Sequence, residues 1–408
     1  MLRVLTLSTL FPDVTRPNFG VFVERQTLGL AAHPDVALTV VAPVGLPPRP
    51  LSRHAHYHGL AGLPARETWK GLDVHRPRFL SVPGTGGRFH AAALARAVRP
   101  ILTATPVDVI DASFFFPDGP AAVALGQELG VPVSIKARGA DIHHWARAAA
   151  TAGQVRGAGM AADGLLAVSA AMRDDMAALG IPAEKVLAHH TGVDLDRFAP
   201  VDRVAAKAAL GVTGPLVVSV GALIPRKGHD LVIDAVAGLP GVTLLIAGEG
   251  AEREALEARI ARLGLAERVR LLGAVPHGEL PALIGGADVM ALASSSEGLA
   301  NAWVEALACG TPVVISDAGG AREVVTGRDA GRIVAREAAA VAAGIAEVLA
   351  DPPGQGAVRA GAERFTWEAN TTALYAHLKG LVEMRGTHLN PPLQGEVARS
   401  AGGVSPSR

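Results

Sequence analysis

The stretch SSSEGLANAWVEALACGTPVVISDAGG, residues 294–320, decides how this chain is read. Upstream of it, ADVMALAS (287–294) reads as a buried strand that runs into a polar turn at Ser294, Ser295 and Ser296. Glu297 and Gly298 then precede a short helix that stops at Gly310, and PVVIS (312–316) is the next apolar strand. A strand, a turn and a helix in that order place the turn at the carboxyl end of a parallel strand, where open α/β sheets bind ligands. The first backbone N–H groups of the following helix are free to meet an anion such as a phosphate. Glu297 stands before the helix and Glu305 about two turns inside it, too far apart to act as a pair but able to reach different parts of one ligand.

Two carboxylates with seven residues between them, in this setting, resemble the E-x7-E signature of the family 4 retaining glycosyltransferases. The resemblance runs from the first strand to about Leu381 through five further segments in order: FPDVTRPNFGVFV (11–23), GVDLDRF (192–198), GALIPRKGHD (221–230), AGEGAERE (247–254) and AGGAREVV (318–325). It implies an α/β chain with the GT-B fold, two Rossmann-like doubly wound domains facing each other across a cleft. The implied reaction moves a sugar from a nucleoside diphosphate sugar to an acceptor hydroxyl with retained anomeric configuration.

In the resemblance, Glu297 lies near the sugar ring and Glu305 accepts from the ribose hydroxyls. Gly298 belongs to the same turn, and the N–H groups of Leu299, Ala300 and Asn301 meet the sugar or phosphate. Arg226 and Lys227, in the loop after LVVSVGA, are placed to clamp the diphosphate. Cations at a helix start oppose its dipole, so a nearby anion explains them better than solvation does. Gly20 would let backbone approach the donor phosphates; the alternative is that it only serves a turn. Gly248 and Gly250 resemble the family's glycine turn, and as G-x-G without a third glycine they do not complete a dinucleotide fingerprint. The resemblance implies no cofactor and no metal, because fixed cations and helix N–H groups stabilise the leaving diphosphate.

Three departures stand out. Where many relatives carry an Arg after the first glycine of GALIPRKG, this chain has Ala222, which leaves Arg226 to take that role. Where many carry a His in the segment matching KARGAD, this chain has Arg138, and an arginine stays protonated and cannot be a general base. Arg138 could still stabilise the leaving phosphate or orient the sugar, and Asp141 is the nearest ionisable alternative. Ser113 stands where a second His is common, so no imidazole is assured in the cleft.

Outward from this centre, short apolar runs alternate with helical patterns along most of the chain. The domains expected are 1–203 on the acceptor side, 204–364 for the nucleotide sugar, a helix over 365–384 returning to the first domain, and a disordered tail over 385–408. Hinges are expected near Val201 and Phe365. Adjacent His189 and His190 point opposite ways on a strand, so they are read as core and rim residues and not a metal pair. From Gly45 to Gly87 the pattern loosens around one strand, DVHRPRF. Between Arg49 and Arg99 nine basic residues face only two acidic ones, Glu67 and Asp73, and a helix from Arg88 would align Arg88, Arg96 and Arg99. That patch is read as facing an anionic membrane or an acceptor carried on a lipid phosphate; a solvated helix face is the alternative.

Composition sets the outer bounds. The 408 residues carry 38 basic and 38 acidic side chains, so there is no electrostatic footprint for nucleic acid. One cysteine, Cys309, excludes an internal disulfide and reads as a buried filler. MLRVLTLSTLF reads as a first strand and not a leader peptide, and no apolar run is long enough to span a bilayer, so the expected place is the cytoplasm, at the inner face of the membrane. The partners expected are a nucleotide-sugar donor and a saccharide or lipid-linked acceptor, in cell-surface polysaccharide or glycolipid synthesis. Two rival readings stay open: a nucleotide-sugar binding protein that has lost activity, motivated by Ala222, Ser113 and Arg138, and a nucleotide-sugar epimerase on the same scaffold.

Overall fold

Short runs of Val, Leu, Ile and Ala become buried strands here because aliphatic side chains can fill both faces of a parallel sheet. The computed structural model describes residues 1–389. Its first sheet has eight strands, in spatial order Val186–Ala188, Gly164–Ala167, Val133–Ala137, Val109–Ala112, Leu2–Leu7, Val36–Val41, Leu72–His75 and Arg66–Trp69. All pairs are parallel except the outer hairpin of Arg66–Trp69 with Leu72–His75. Its two-residue turn, Lys70 and Gly71, has φ of 48° and 86°, the left-handed pair that a tight hairpin requires.

The second sheet is wholly parallel, in the order Val269–Gly273, Thr243–Ala247, Leu216–Val220, Val289–Leu292, Val313–Ser316 and Gly331–Val334. Each sheet carries apolar side chains on both faces. In the first, Leu5, Ile110 and Ile135 pack with residues of the helices His90–Ala104 and Asp118–Leu129, whereas Val4 and Val109 pack with Leu30, Leu374 and Leu378. In the second, Met290 packs with Trp303 and Leu307, and Val289 with Val232 and Ile345. These are the two doubly wound α/β domains that the resemblance implies. Their carboxyl edges face each other, since loops leaving the strands Val133–Ala137 and Gly164–Ala167 meet loops leaving Val289–Leu292 and Val313–Ser316.

Three sequence readings change. DVHRPRF is not one strand: Pro77 breaks it, leaving Leu72–His75 in the main sheet and Arg78–Leu80 in a separate parallel pair with Val44–Leu46. The final helix spans Trp367–Leu389, so residues 385–389 are helical instead of belonging to a tail. Arg385, pairing with Asp163 at 3.4 Å, ties that last turn to the first domain; residues 390–408 of the expected tail lie outside the described residues. The basic stripe does not form either. Arg88 precedes the helix His90–Ala104, and Arg99 pairs with Glu128 at 2.8 Å. Arg66, Lys70 and Arg76 pair with Asp73, Glu24 and Glu67, and the Arg78 guanidinium donates to the carbonyls of Arg76 and Leu63. Among the described residues, Arg49, Arg53, Arg88 and Arg96 have no carboxylate partner. No helix among the described residues is long and apolar enough to cross a membrane.

The two chain segments that cross between domains run side by side, with Val193 N–H donating to Phe365 O at 2.7 Å. Arg359 staples the first crossing to the second domain. Its guanidinium donates to Leu195 O (2.8 Å), Phe198 O (2.8 Å) and Ala308 O (2.7 Å). An R359M substitution should therefore lower the thermal midpoint, at a cost of about 2–3 kcal/mol for three carbonyls that lose a charged donor. R359K should recover only part, since one ammonium cannot reach all three; a midpoint unchanged in both variants would remove the staple.

Candidate active site

Strand order locates the site before any side chain is considered. In the second sheet the chain starts at Leu216–Val220, winds to one side, and returns at Val289–Leu292 on the other, so the loops after these neighbouring strands part and leave a crevice. The first loop carries Arg226 and Lys227, the second the polar turn of Ser294–Glu297. Gly228 makes their approach possible: its φ is 67°, and a Cβ there would run into the Ala293 carbonyl. Ser295 N–H then donates to Arg226 O at 2.8 Å, and the Arg226 guanidinium donates to Ser296 O.

At the centre, Glu297 is 7% exposed and held by two cations, Lys227 Nζ to Oε1 at 2.6 Å and Arg226 Nη1 to Oε2 at 3.3 Å. One carboxylate against two cations leaves a net positive charge for an anionic ligand. The N–H groups of Gly298, Leu299, Ala300 and Asn301 donate to no acceptor among the described residues, and they open the helix Asn301–Ala308. Further along that helix Glu305 accepts from His277 at 3.3 Å.

The facing wall belongs to the first domain. Arg138 follows the strand Val133–Ala137, and its guanidinium donates to Ser113 O (2.6 Å) and Gln26 Oε1 (3.2 Å), with the Phe22 ring 5.0 Å away. Burial lowers Arg138 to about 10, offset in part by Asp111 and Asp141, so it stays charged at neutral pH. Behind it Lys136 Nζ touches Gln26 Oε1 (2.8 Å) and His189 Nδ1 (2.6 Å), and burial with the adjacent Arg138 charge pulls it well below its usual value. Burial likewise pushes Asp111 up. Ser113 sends its hydroxyl to Asp111 (3.2 Å) in the core and offers the cleft only the carbonyl that holds Arg138.

Asp141 does not face the cleft as the ionisable alternative to Arg138. It is fully buried, and its carboxylate accepts from the N–H groups of Phe115 (3.1 Å), Arg138 (3.0 Å), Gly139 (2.7 Å) and Ile142 (3.1 Å). Its work is to hold the loop that starts the π-helical turn Asp141–Trp145. That turn supplies the imidazole which the sequence left unassigned: His143 Nε2 lies 2.8 Å from Asp175, and Nδ1 lies 2.7 Å from Ser296 Oγ on the opposite domain. The signal was present in the pair of histidines just after Asp141, but spacing alone does not say which one a π turn aims inward.

Three adjoining cavities occupy the cleft. One of about 550 Å³ lies between Arg138, His143 and Arg147 on one side and Arg226, Glu297 and Gly298 on the other. A second, of about 290 Å³, is bounded by Lys227, Leu299, Ala300 and Asn301 with Phe22 and Ala222. The third, of about 280 Å³, holds Glu305, His277 and Trp367. Arg138 and Glu297 border the first two, and Phe22 and Asn301 the last two. Glu297 and Glu305 thus mark successive stations along one cleft.

Gly20, Gly248 and Gly250 line none of these cavities. Gly20 has φ 70° and abuts the Leu10 carbonyl at the start of the helix Val21–Ala31. Gly248 and Gly250, with φ of 155° and 159°, let their loop close on the carbonyls of Gly221 and Leu223. They shape loops in a way that a side chain would prevent. His189 faces the core and His190 the Glu323 carboxylate, at 2.6 Å. Cys309 is buried, which with nearby Glu305 raises its thiol to about 12 and makes it inert.

Comparison with known proteins gives this geometry a family. Residues 23–197 match glycosyltransferase family 4, and residues 202–365 match the glycosyl transferases group 1. Over 201 residues, 46% of this chain, the sequence is 40% identical to D-inositol 3-phosphate glycosyltransferase of Mycobacterium tuberculosis, and the chain covers 42% of that protein. The chain thus spans less than half the length of the curated relatives it matches. Among solved structures, sucrose-phosphate synthase from Thermosynechococcus elongatus superposes with a TM-score of 0.77 at 20% identity, over 94% of this chain and all (100%) of that one. Anabaena HepE in complex with UDP gives 0.71 at 20%, over 93% and 100%. At such identities these two report the shared GT-B fold. With family matches over both halves, in the order in which its two facing domains run, the chain belongs to the group 1 type of glycosyltransferase family 4.

Proposed function

We propose that the protein is a retaining, hexosyltransferase-type enzyme that moves a sugar from a nucleoside diphosphate sugar to an acceptor hydroxyl. The observation that carries this reading is Glu297, held by Lys227 and Arg226 across a cavity from Arg138. In a glycosyl transfer the departing diphosphate gains negative charge, so fixed cations stabilise the transition state more than the ground state. Arg226, Lys227 and the N–H groups from Gly298 to Asn301 take the diphosphate. Glu297 contacts the sugar and Glu305 accepts from vicinal ribose hydroxyls, which suits an ionised carboxylate. Arg138 steadies the leaving phosphate, which itself receives the proton of the acceptor hydroxyl. Since the protein's own cations do this work, no metal ion is required. Solved HepE complexes hold UDP and UDP-glucose, which makes a uridine diphosphate sugar the first donor to test.

The acceptor side is the first domain, with a saccharide or lipid-linked acceptor of cell-surface polysaccharide or glycolipid synthesis. Arg49, Arg53 and Arg88 accompany the exposed apolar side chains of Leu51, Leu80 and Phe89. They follow the ends of the pair Val44–Leu46 and Arg78–Leu80, and the Arg88 carbonyl accepts from Gln154, just beyond the segment that carries His143 and Arg147. Exposed arginines mixed with apolar side chains suit an anionic lipid surface. The enzyme would then work at the inner face of the membrane, on an acceptor held there.

Thermal stability with UDP, GDP, ADP and TDP, without metal, tests the donor site. One diphosphate should raise the midpoint of the wild type, and K227A should weaken its binding by about 10–100-fold through loss of a charge-assisted contact. No shift with any of them at saturation would favour the inactive rival. Transfer by the wild type should survive EDTA; an isomerised donor formed without acceptor would favour the epimerase. Sedimentation with vesicles should show binding to anionic but not neutral lipid, weakened by salt and by R53E/R88E. Equal binding to both vesicle types, or none, would remove the membrane contact.

A further inference from the structure

We infer that His143 is a positioning residue that sets the polar turn of the second domain against the first when the cleft is closed. The inference rests on the reading of the cleft as a nucleoside diphosphate site. Both ring nitrogens are engaged, and by different domains. Nε2 meets Asp175 at 2.8 Å, on the helix Ala170–Ala178 of the first domain, and Nδ1 meets Ser296 Oγ at 2.7 Å. An ionised Asp175 only accepts, so Nε2 carries a hydrogen and the orientation of the ring is set from behind. Nδ1 is thereby presented to the Ser296 hydroxyl across the cleft.

What hangs from Ser296 gives the contact its consequence. The Ser296 carbonyl accepts from the Arg226 guanidinium, and the next residue, Glu297, binds Lys227 at 2.6 Å. The position of Ser296 therefore sets the position of both cations and of the carboxylate between them. Nearby, a Cβ on Gly298 would lie 2.6 Å from the Arg138 carbonyl, so the same turn is pressed close against the first domain. The hydrogen bond between Ser296 and His143 holds the turn at that distance, and an open cleft would lack it.

A second tie crosses the cleft from the neighbouring segment, whose Gly320 N–H donates to Gly298 O at 2.8 Å, and it uses a different side chain. Glu323 accepts from Ala170 N–H at 2.9 Å and from His190 Nε2 at 2.6 Å. It acts on the helix that carries Asp175, so it is the control that separates a general staple between domains from a residue that positions the clamp.

The test is a double-mutant cycle of H143A and S296A in the full chain, with D175N, H143N and E323Q alongside. Read out are the affinity for UDP by calorimetry, kcat and the acceptor KM, and X-ray scattering of the ligand-free protein. H143A and S296A should each weaken UDP by about tenfold and lower kcat with the acceptor KM nearly unchanged, and the double variant should be no worse than the poorer single. D175N should show a smaller loss. H143N, whose amide can take the place of Nδ1, should recover part of the affinity. E323Q should leave UDP affinity within twofold of wild type. Additive losses in the cycle, or E323Q matching H143A, would overturn the role. Wild type that binds no nucleoside diphosphate would count against the donor reading instead. The role would then be judged by scattering alone: H143A and S296A should expand the ligand-free protein equally and non-additively, and no expansion would overturn it.

Discussion

Everything at the site depends on one carboxylate sharing two cations at the point where the second sheet reverses its winding. Glu297 is nearly buried, and removing a carboxylate from water costs several kcal/mol unless charge and hydrogen bonds compensate. Lys227 and Arg226 compensate it, and they are in place because their loop leaves the strand next to the one that delivers the polar turn. The excess of one positive charge is a property of the fold as much as of the residues. It points into a cleft where the neighbouring N–H groups also seek an acceptor.

The first domain adds the opposite wall under greater electrostatic strain. Lys136 is fully buried and Arg138 half-buried at the cavity wall, with Asp111 and Asp141 as carboxylates that act on the guanidinium. Burial alone would make such a pair of cations unfavourable, and an anion in the cleft would relieve it. Much of the polar interior behind the cleft is committed to holding one guanidinium at the cavity wall: Gln26, the Ser113 carbonyl and the backbone cage around Asp141 all contribute. Two domains that each bring cations to one cleft would repel while it is empty. The ties at His143–Ser296 and Glu323–Ala170 oppose that repulsion.

Several elements were legible in the sequence because their signals are local. The turn of Ser294–Ser296, the helix behind it and the strand Val313–Ser316 follow from a switch between apolar runs and polar turn residues, and the structure places all three. Glu297, Glu305, Arg226 and Lys227 all reach the cleft. The misreadings concern element boundaries, side-chain direction and pairing, which periodicity reports poorly. Arg88, Arg96 and Arg99 read as a stripe because a helix start was placed too early, and Arg99 had a partner 29 residues away in Glu128. Asp141 read as a base although three of its four backbone donors, at 138, 139 and 142, are near neighbours; that the carboxylate turns back onto them, with Phe115 N–H as the fourth, is set by the loop conformation. DVHRPRF read as one strand although Pro77 lacks the N–H that a continuous ladder needs.

The alternation of strands and helices, the carboxyl-end location of the polar turn and the residues that bring charge to it were readable along the chain, whereas the doubly wound pairing of two domains was implied by the family resemblance. The former follow from periodicity, from turn chemistry and from the few φ values that glycine alone adopts freely. Three-dimensional packing was needed to see that Asp141 is consumed by backbone, that Ser113 looks inward, and that His143 reaches across the cleft to Ser296. The first two depend on how a loop folds back on its own neighbours, and the third on where segments 153 residues apart come to rest; neither side-chain direction nor hydrogen-bond geometry follows from spacing along the chain.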